Sequence, residues 1–97
     1  MNPTAINQQA VLELTVNDHP GVMSHVCGLF SRRAFNVDGI LVMPIGNGLS
    51  RIWLRVQEGS RLPQVESQLY KLYDVHSVCR HPPDHAVFGN LERFFEE

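Results

Sequence analysis

The sequence predicts an α+β fold, a ferredoxin-like sandwich in the order βαββαβ with two helices on one face of a four-stranded antiparallel sheet. Three observations point there. Four segments alternate or are rich in β-branched residues, and two others carry apolar residues at helical spacing. Between the second and third strands, Gly46-Asn47-Gly48 is a strong hairpin turn, because Gly and Asn tolerate positive φ cheaply. That hairpin forces antiparallel pairing at the centre and disfavours a doubly wound parallel sheet.

The elements follow in order. Residues 1–8 are polar and read as a loose tail; residues 9–82 form the domain. Val11 to Val16 alternates, with Leu12, Leu14 and Val16 on one face and Glu13 and Thr15 on the other. Asn17-Asp18-His19-Pro20-Gly21 ends that strand. Val22, Val26, Leu29 and Phe30 then make a helical stripe, widened by Met23 and Cys27. Ser31-Arg32-Arg33 closes the helix with cations at the negative end of its dipole. Asn36 opens a second strand over Val37 to Ile45. Ser50 to Gln57 returns with Ile52, Leu54 and Val56 on one face and Arg51, Trp53 and Arg55 on the other. Glu58-Gly59-Ser60 breaks that strand. Leu62, Val65, Leu69 and Leu72 line a second helix, with Pro63 tolerated in its first turn. Val75 to Arg80 reads as the fourth strand. After His81-Pro82-Pro83 comes a C-terminal tail, 83–97, in which Val87, Phe88, Leu91, Phe94 and Phe95 suit one side of a short amphipathic helix. That side packs either on its own domain or on another chain.

Composition narrows the class. At 97 residues, 43% hydrophobic and 19% charged, the chain suits one soluble domain. A formal net charge of -2 gives no basic field for nucleic acid. No apolar run reaches membrane-span length, and the N-terminus lacks the build of a signal peptide, so a cytoplasmic location without a membrane partner is expected. Cys27 and Cys79 read as reduced, mostly buried thiols rather than a disulfide framework.

Asp18-His19-Pro20-Gly21 carries the chemistry. A helix N-terminus has unpaired N–H groups and partial positive charge, which favour a carboxylate. Gly21 lets a ligand approach those groups, and Asp18 can accept from an ammonium. Together these complement a free α-amino acid. The same residues also suit an ordinary helix start, with Asp18 or His19 capping. The residues alone leave both readings open.

The motifs then favour the first. Asp18-His19-Pro20-Gly21-Val22-Met23 resembles the D-x-P-G-x-[LM] signature of ACT domains, which bind amino acids in regulatory proteins. The longer run HPGVMSHVCGLFSRRAFNV, His19 to Val37, resembles the small regulatory subunits of acetohydroxyacid synthase (acetolactate synthase). Their pattern is H-P-G-V-[ML]-x-x-[VI]-x-G-L-F-x-[RQ]-R-x-[FY]-N-[VI]. The likeness spans roughly residues 9 to 82, and the length fits the compact isozyme I type with one ACT domain and a brief tail.

The resemblance implies a homodimer that binds a branched-chain amino acid, valine foremost, where two subunits meet. It implies that Asp18, Pro20, Gly21 and Val22 contribute from one chain and that Asn36 and Val37 contribute from the other. The Asn36 amide both donates and accepts, which suits an ammonium carboxylate. Asp18 departs from the Asn frequent in this subfamily. The implied partner is a large catalytic subunit carrying thiamine diphosphate, FAD and Mg, activated by this chain and inhibited through it. This chain is then neither an enzyme nor a cofactor carrier. A stand-alone amino-acid sensor controlling another protein is the alternative.

Other classes fit less well. The five histidines form no H-x-x-x-H pair on one helix face and the two cysteines no C-x-x-C, so exposed or capping histidines are expected and a metal site is not. The loop before the first helix is too short, and lacks the Arg, for an acylphosphatase-like phosphate cradle. An RNA-binding sheet needs aromatics on both central strands, and only Trp53 is offered. Arg51, Trp53 and Arg55, joined on the open sheet face by Ile40 and Val42, are expected to dock on the large subunit, or else Phe94 and Phe95 of the tail do.

Overall fold

The computed structural model describes residues 9–33, 35–57, 59 and 61–95. The predicted tail 1–8 lies outside them. The chain forms β1 (Gln9–Asn17), α1 (Val22–Arg32), β2 (Val37–Gly46), β3 (Leu49–Gln57), α2 (Leu62–Tyr70), β4 (Val75–His81) and a short α3 (Ala86–Gly89), followed by a 3-10 turn at Glu92–Phe94. The sheet order is β2-β3-β1-β4, antiparallel throughout, so β1 and β3 are central and β2 and β4 are edges.

The predicted alternation sets the core. Leu12, Leu14 and Val16 of β1 and Ile52, Leu54 and Val56 of β3 are buried against Val22, Val26, Leu29 and Phe30 of α1 and Leu62, Val65 and Leu69 of α2. Each such side chain contributes about 2 kcal/mol by leaving water. Leu72, placed on the second helix by its spacing, sits just past its end and packs against the core edge. In the hairpin, Gly46, Asn47 and Gly48 all have positive φ, and Gly46 faces Leu49 across a two-residue turn.

Two expectations about individual side chains change. Ile40 and Val42 do not share a face with Trp53. Val37 pairs with Val56 but Gly39 pairs with Arg55, so a bulge at Asp38 shifts the register by one residue. An uninterrupted strand would put Ile40 opposite Trp53; the extra residue puts Leu41 there and turns Ile40 and Val42 to the helix side. Cys79, expected to be mostly buried, is exposed on edge strand β4, whereas Cys27 is half-buried; both are free thiols.

The second sheet face is not left open. The C-terminal segment crosses it as two short turns rather than one helix, and the two behave differently. Phe88 is buried over Gly39 and Arg55, whereas Phe94 and Phe95 are 79% and 86% exposed. Val11, opposite both Arg55 and His81, is fully buried although it points away from the helices.

Candidate functional site

The turn between β1 and α1 is built for exposure of its backbone. Gly21 is the N-cap residue of α1, with φ 95° and ψ -18°, a left-handed conformation that disfavours any side chain. No side chain caps the helix. The capping reading of Asp18 and His19 therefore fails, and an anion has access to the first turn. A Cβ built on Gly21 meets nothing within 4 Å, so the space before the helix is open. Asp18, Pro20 and Gly21 are exposed; Val22 turns its side chain into the core, and its N–H donates to the His19 carbonyl at 3.4 Å.

Hydrogen bonds from two directions hold the turn. Asp18 N–H donates to the Gly48 carbonyl at 2.8 Å, tying it to the β2–β3 hairpin. Asn17 N–H donates to the Asp74 carbonyl at 2.8 Å, and the Asn17 amide donates to Asp74 Oδ1 at 3.0 Å. His19 Nε2 lies 2.7 Å from Asp74 Oδ1 and its Nδ1 lies 2.7 Å from the Pro20 carbonyl oxygen. His76 completes the cluster, with Nε2 2.6 Å from Asn17 Oδ1. The Pro20 carbonyl, and next Asp74, hold the His19 imidazole above its ordinary pKa. The Asn17 amide, and next His19, hold the mostly buried Asp74 carboxyl below its own.

Asn36 and Val37 sit at the other end of α1. That helix is 11 residues long, a rise of about 16 Å between its ends. Within one chain the two halves of the expected site are therefore not brought together. Asn36 is exposed, and Val37 is half-buried at the start of edge strand β2.

The residues expected to meet a partner are engaged within the chain. Arg51 pairs with Glu13 at 2.9 Å, which also lies 2.8 Å from His81 Nε2. Trp53 stacks beside His81 and His85, with ring centroids 5.5 and 4.8 Å away. Arg55 lies over the Phe88 ring and pairs with Glu92 at 2.7 Å. A cleft of about 390 Å³ remains between β2, β3 and the tail, lined by Gly39, Leu41, Arg55, Phe88, Leu91 and Phe95 among others. Arg55 Nε is buried there with no hydrogen-bond partner among the described residues.

His85, one of the histidines expected to be exposed or capping, accepts from Val87 N–H at 3.1 Å and caps α3. Asp74 escaped the sequence reading. It belongs to no local motif, and only the β1–β4 pairing brings it to the turn. Among the described residues, no three His, Cys, Asp or Glu side chains converge as a metal-binding set.

Comparison with known proteins places this arrangement. Residues 12–77 match the model of the AHAS small subunit-like ACT domain. The chain is 52% identical over 91 residues to the acetolactate synthase isozyme 1 small subunit of Escherichia coli, covering 93% of this chain and 95% of that protein. It is 40% identical over 70 residues to the acetolactate synthase small subunit of Haemophilus influenzae, covering 70% of this chain and 43% of that one. The crystal structure of the acetolactate synthase small subunit from Thermotoga maritima matches with a TM-score of 0.68 at 36% identity, over 75% of this chain and 47% of that one. The chain belongs to the family of acetolactate synthase small subunits, noncatalytic regulatory subunits with an ACT domain whose partner is the large catalytic subunit.

Proposed function

We propose that this chain activates the large catalytic subunit and transmits feedback inhibition by a branched-chain amino acid, valine first, from a site completed by a second copy of itself. The observation that carries the reading is the uncapped, glycine-started N-terminus of α1 with Asp18 beside it. N–H groups there suit the effector carboxylate, and Asp18 suits its ammonium.

The topology supports a shared site. β2 is an edge strand, and Ile40 and Val42 leave 44% and 42% of their surface exposed on its helix side, with Ile45 similarly open. Such an edge favours pairing with a like strand. Two copies of β2 paired antiparallel about a two-fold axis bring the partner copy's strand start to this chain's Ile45-Gly46 end. That end adjoins Gly48, which is bonded to Asp18. Asn36 and Val37 of one copy then approach the Asp18–Gly21 turn of the other. Asn36 closes on the ligand's polar end, and Val37 meets its aliphatic branch.

Catalysis, with thiamine diphosphate, FAD and Mg, is assigned to the large subunit, in the cytoplasm. Among the described residues no helix is long and apolar enough to cross a membrane. The exposed Phe94 and Phe95 are assigned to docking, while Arg51, Trp53 and Arg55 hold the sheet face and the tail together within the chain. Inhibition requires that valine bind one arrangement of the assembly better than another, since equal binding shifts nothing.

Thermal unfolding of the purified chain against valine, leucine, isoleucine and serine tests the site. A ligand at a hundredfold above its Kd adds about 2.7 kcal/mol. Valine or a branched relative is expected to raise Tm, and Asn36→Ala to abolish the rise. An unchanged Tm with every amino acid contradicts a site in the isolated regulatory subunit.

A further inference from the structure

His19 stands two residues before Gly21 with a hydrogen-bond acceptor against each ring nitrogen. The Pro20 carbonyl oxygen is 2.7 Å from Nδ1, and Asp74 Oδ1 is 2.7 Å from Nε2. A neutral imidazole has one N–H and can satisfy only one of them; the imidazolium donates to both. The Pro20 carbonyl and the Gly21 N–H belong to one planar peptide group and point in opposite directions. Whatever holds that oxygen also aims that N–H, and a hydrogen bond on the oxygen strengthens the N–H as a donor. Asp74 is fixed in turn by Asn17, through both backbone and side chain, and Asn17 by His76.

We propose that His19 is a positioning residue for the effector: braced between Pro20 and Asp74, its imidazolium fixes the peptide plane that presents the Gly21 N–H to a carboxylate, so effector binding tightens as His19 protonates. The inference rests on the amino-acid site proposed above. Asp74 comes from the turn before β4 and Asp18 from the β1–α1 turn that carries His19, both favouring the cation. His25 of α1 acts on Asp74, and His76 of β4 reaches the cluster through Asn17. Loss of the His19 proton releases one of its two acceptors. The Pro20–Gly21 plane then gains freedom that the ligand must remove on binding.

The test is valine titration of the purified chain by calorimetry at about pH 6 and about pH 8.5, on either side of the histidine range. Valine is expected to bind about fivefold more tightly at the lower pH, the scale of one partly exposed ionic contact. Asp74→Asn keeps the acceptor for Asn17 but removes the charge. It is expected to bind as the wild type does at the higher pH, with a flat profile, and the His19 ring proton signals are expected to titrate at a lower pH in it. His19→Gln is expected to be flat as well and serves if Asp74→Asn does not fold. Valine binding with a flat wild-type profile, or an Asp74→Asn profile like the wild type's, overturns the brace alone. No valine binding at either pH overturns the amino-acid site and the brace with it.

Discussion

Phe88 rests so closely on Gly39 that a Cβ there would lie 2.8 Å from its Cε1. Gly39 faces Arg55 across the β2–β3 pairing, and Arg55 holds the other side of the tail through Glu92. Gly39→Ala is therefore expected to lift the tail, costing about 1 to 3 kcal/mol in urea unfolding. Phe88→Ala should cost about 2 kcal/mol through lost burial. Because both act on one contact, the double variant should cost clearly less than the sum. Additive losses would mean that the two residues are not in contact.

Gly21 is expected to tolerate no side chain. Gly21→Ala meets open space but must hold a left-handed backbone, at about 1 to 2 kcal/mol. Chemical denaturation reads that loss. Valine binding is expected to weaken as well if the residue relaxes its φ, because the N–H groups it aims would turn away.

Without ligand, the His19–Asp74 pair makes stability depend on pH in a defined window. His19 is raised from 6.5, so its contribution is complete below that value and is lost as pH climbs through the higher folded value. Asp74 is lowered from 3.8, so its contribution is complete above that value and is lost as pH falls through the lower folded one. The pair stabilises the chain most between 3.8 and 6.5. Urea unfolding across this range is expected to show wild type and Asp74→Asn furthest apart inside the window and closer above it, where the His19 share is lost and the Asn17 hydrogen bond to the carboxylate remains.

Pairing through β2 predicts that Val42→Asp stays folded but becomes a monomer. Its side chain is exposed within the chain, so the fold loses little, whereas two opposed carboxylates across a shared edge repel. Sedimentation velocity reads the change, and the valine-dependent rise in Tm should vanish with the dimer. A Val42→Asp variant that remains dimeric would place the interface elsewhere.

The fold was legible wherever one periodicity dominated. The alternation of Leu12, Leu14 and Val16 and the stripe of Val22, Val26, Leu29 and Phe30 name their buried faces directly. The hairpin announces itself because Gly46 and Gly48 supply positive φ. What failed hung on single-residue irregularities or distant partners. The bulge at Asp38 carries no composition signal yet reverses the faces of Ile40 and Leu41. The tail's apolar residues suggested one helix, but it breaks into two turns, with Phe88 covering the sheet and Phe94 left in solvent. Of the site, the motif from Asp18 to Gly21 was visible; Asp74, which braces it from the turn before β4, was not.

The most direct measurement is acetolactate formation by the purified cognate large subunit, titrated with this chain and then with valine. Activity is expected to rise to saturation as the chain is added and to fall as valine follows. With Asn36→Ala the rise should persist while the fall is lost, separating activation from effector sensing. Activity that does not change with this chain at any ratio would contradict a role as the regulatory partner of that enzyme.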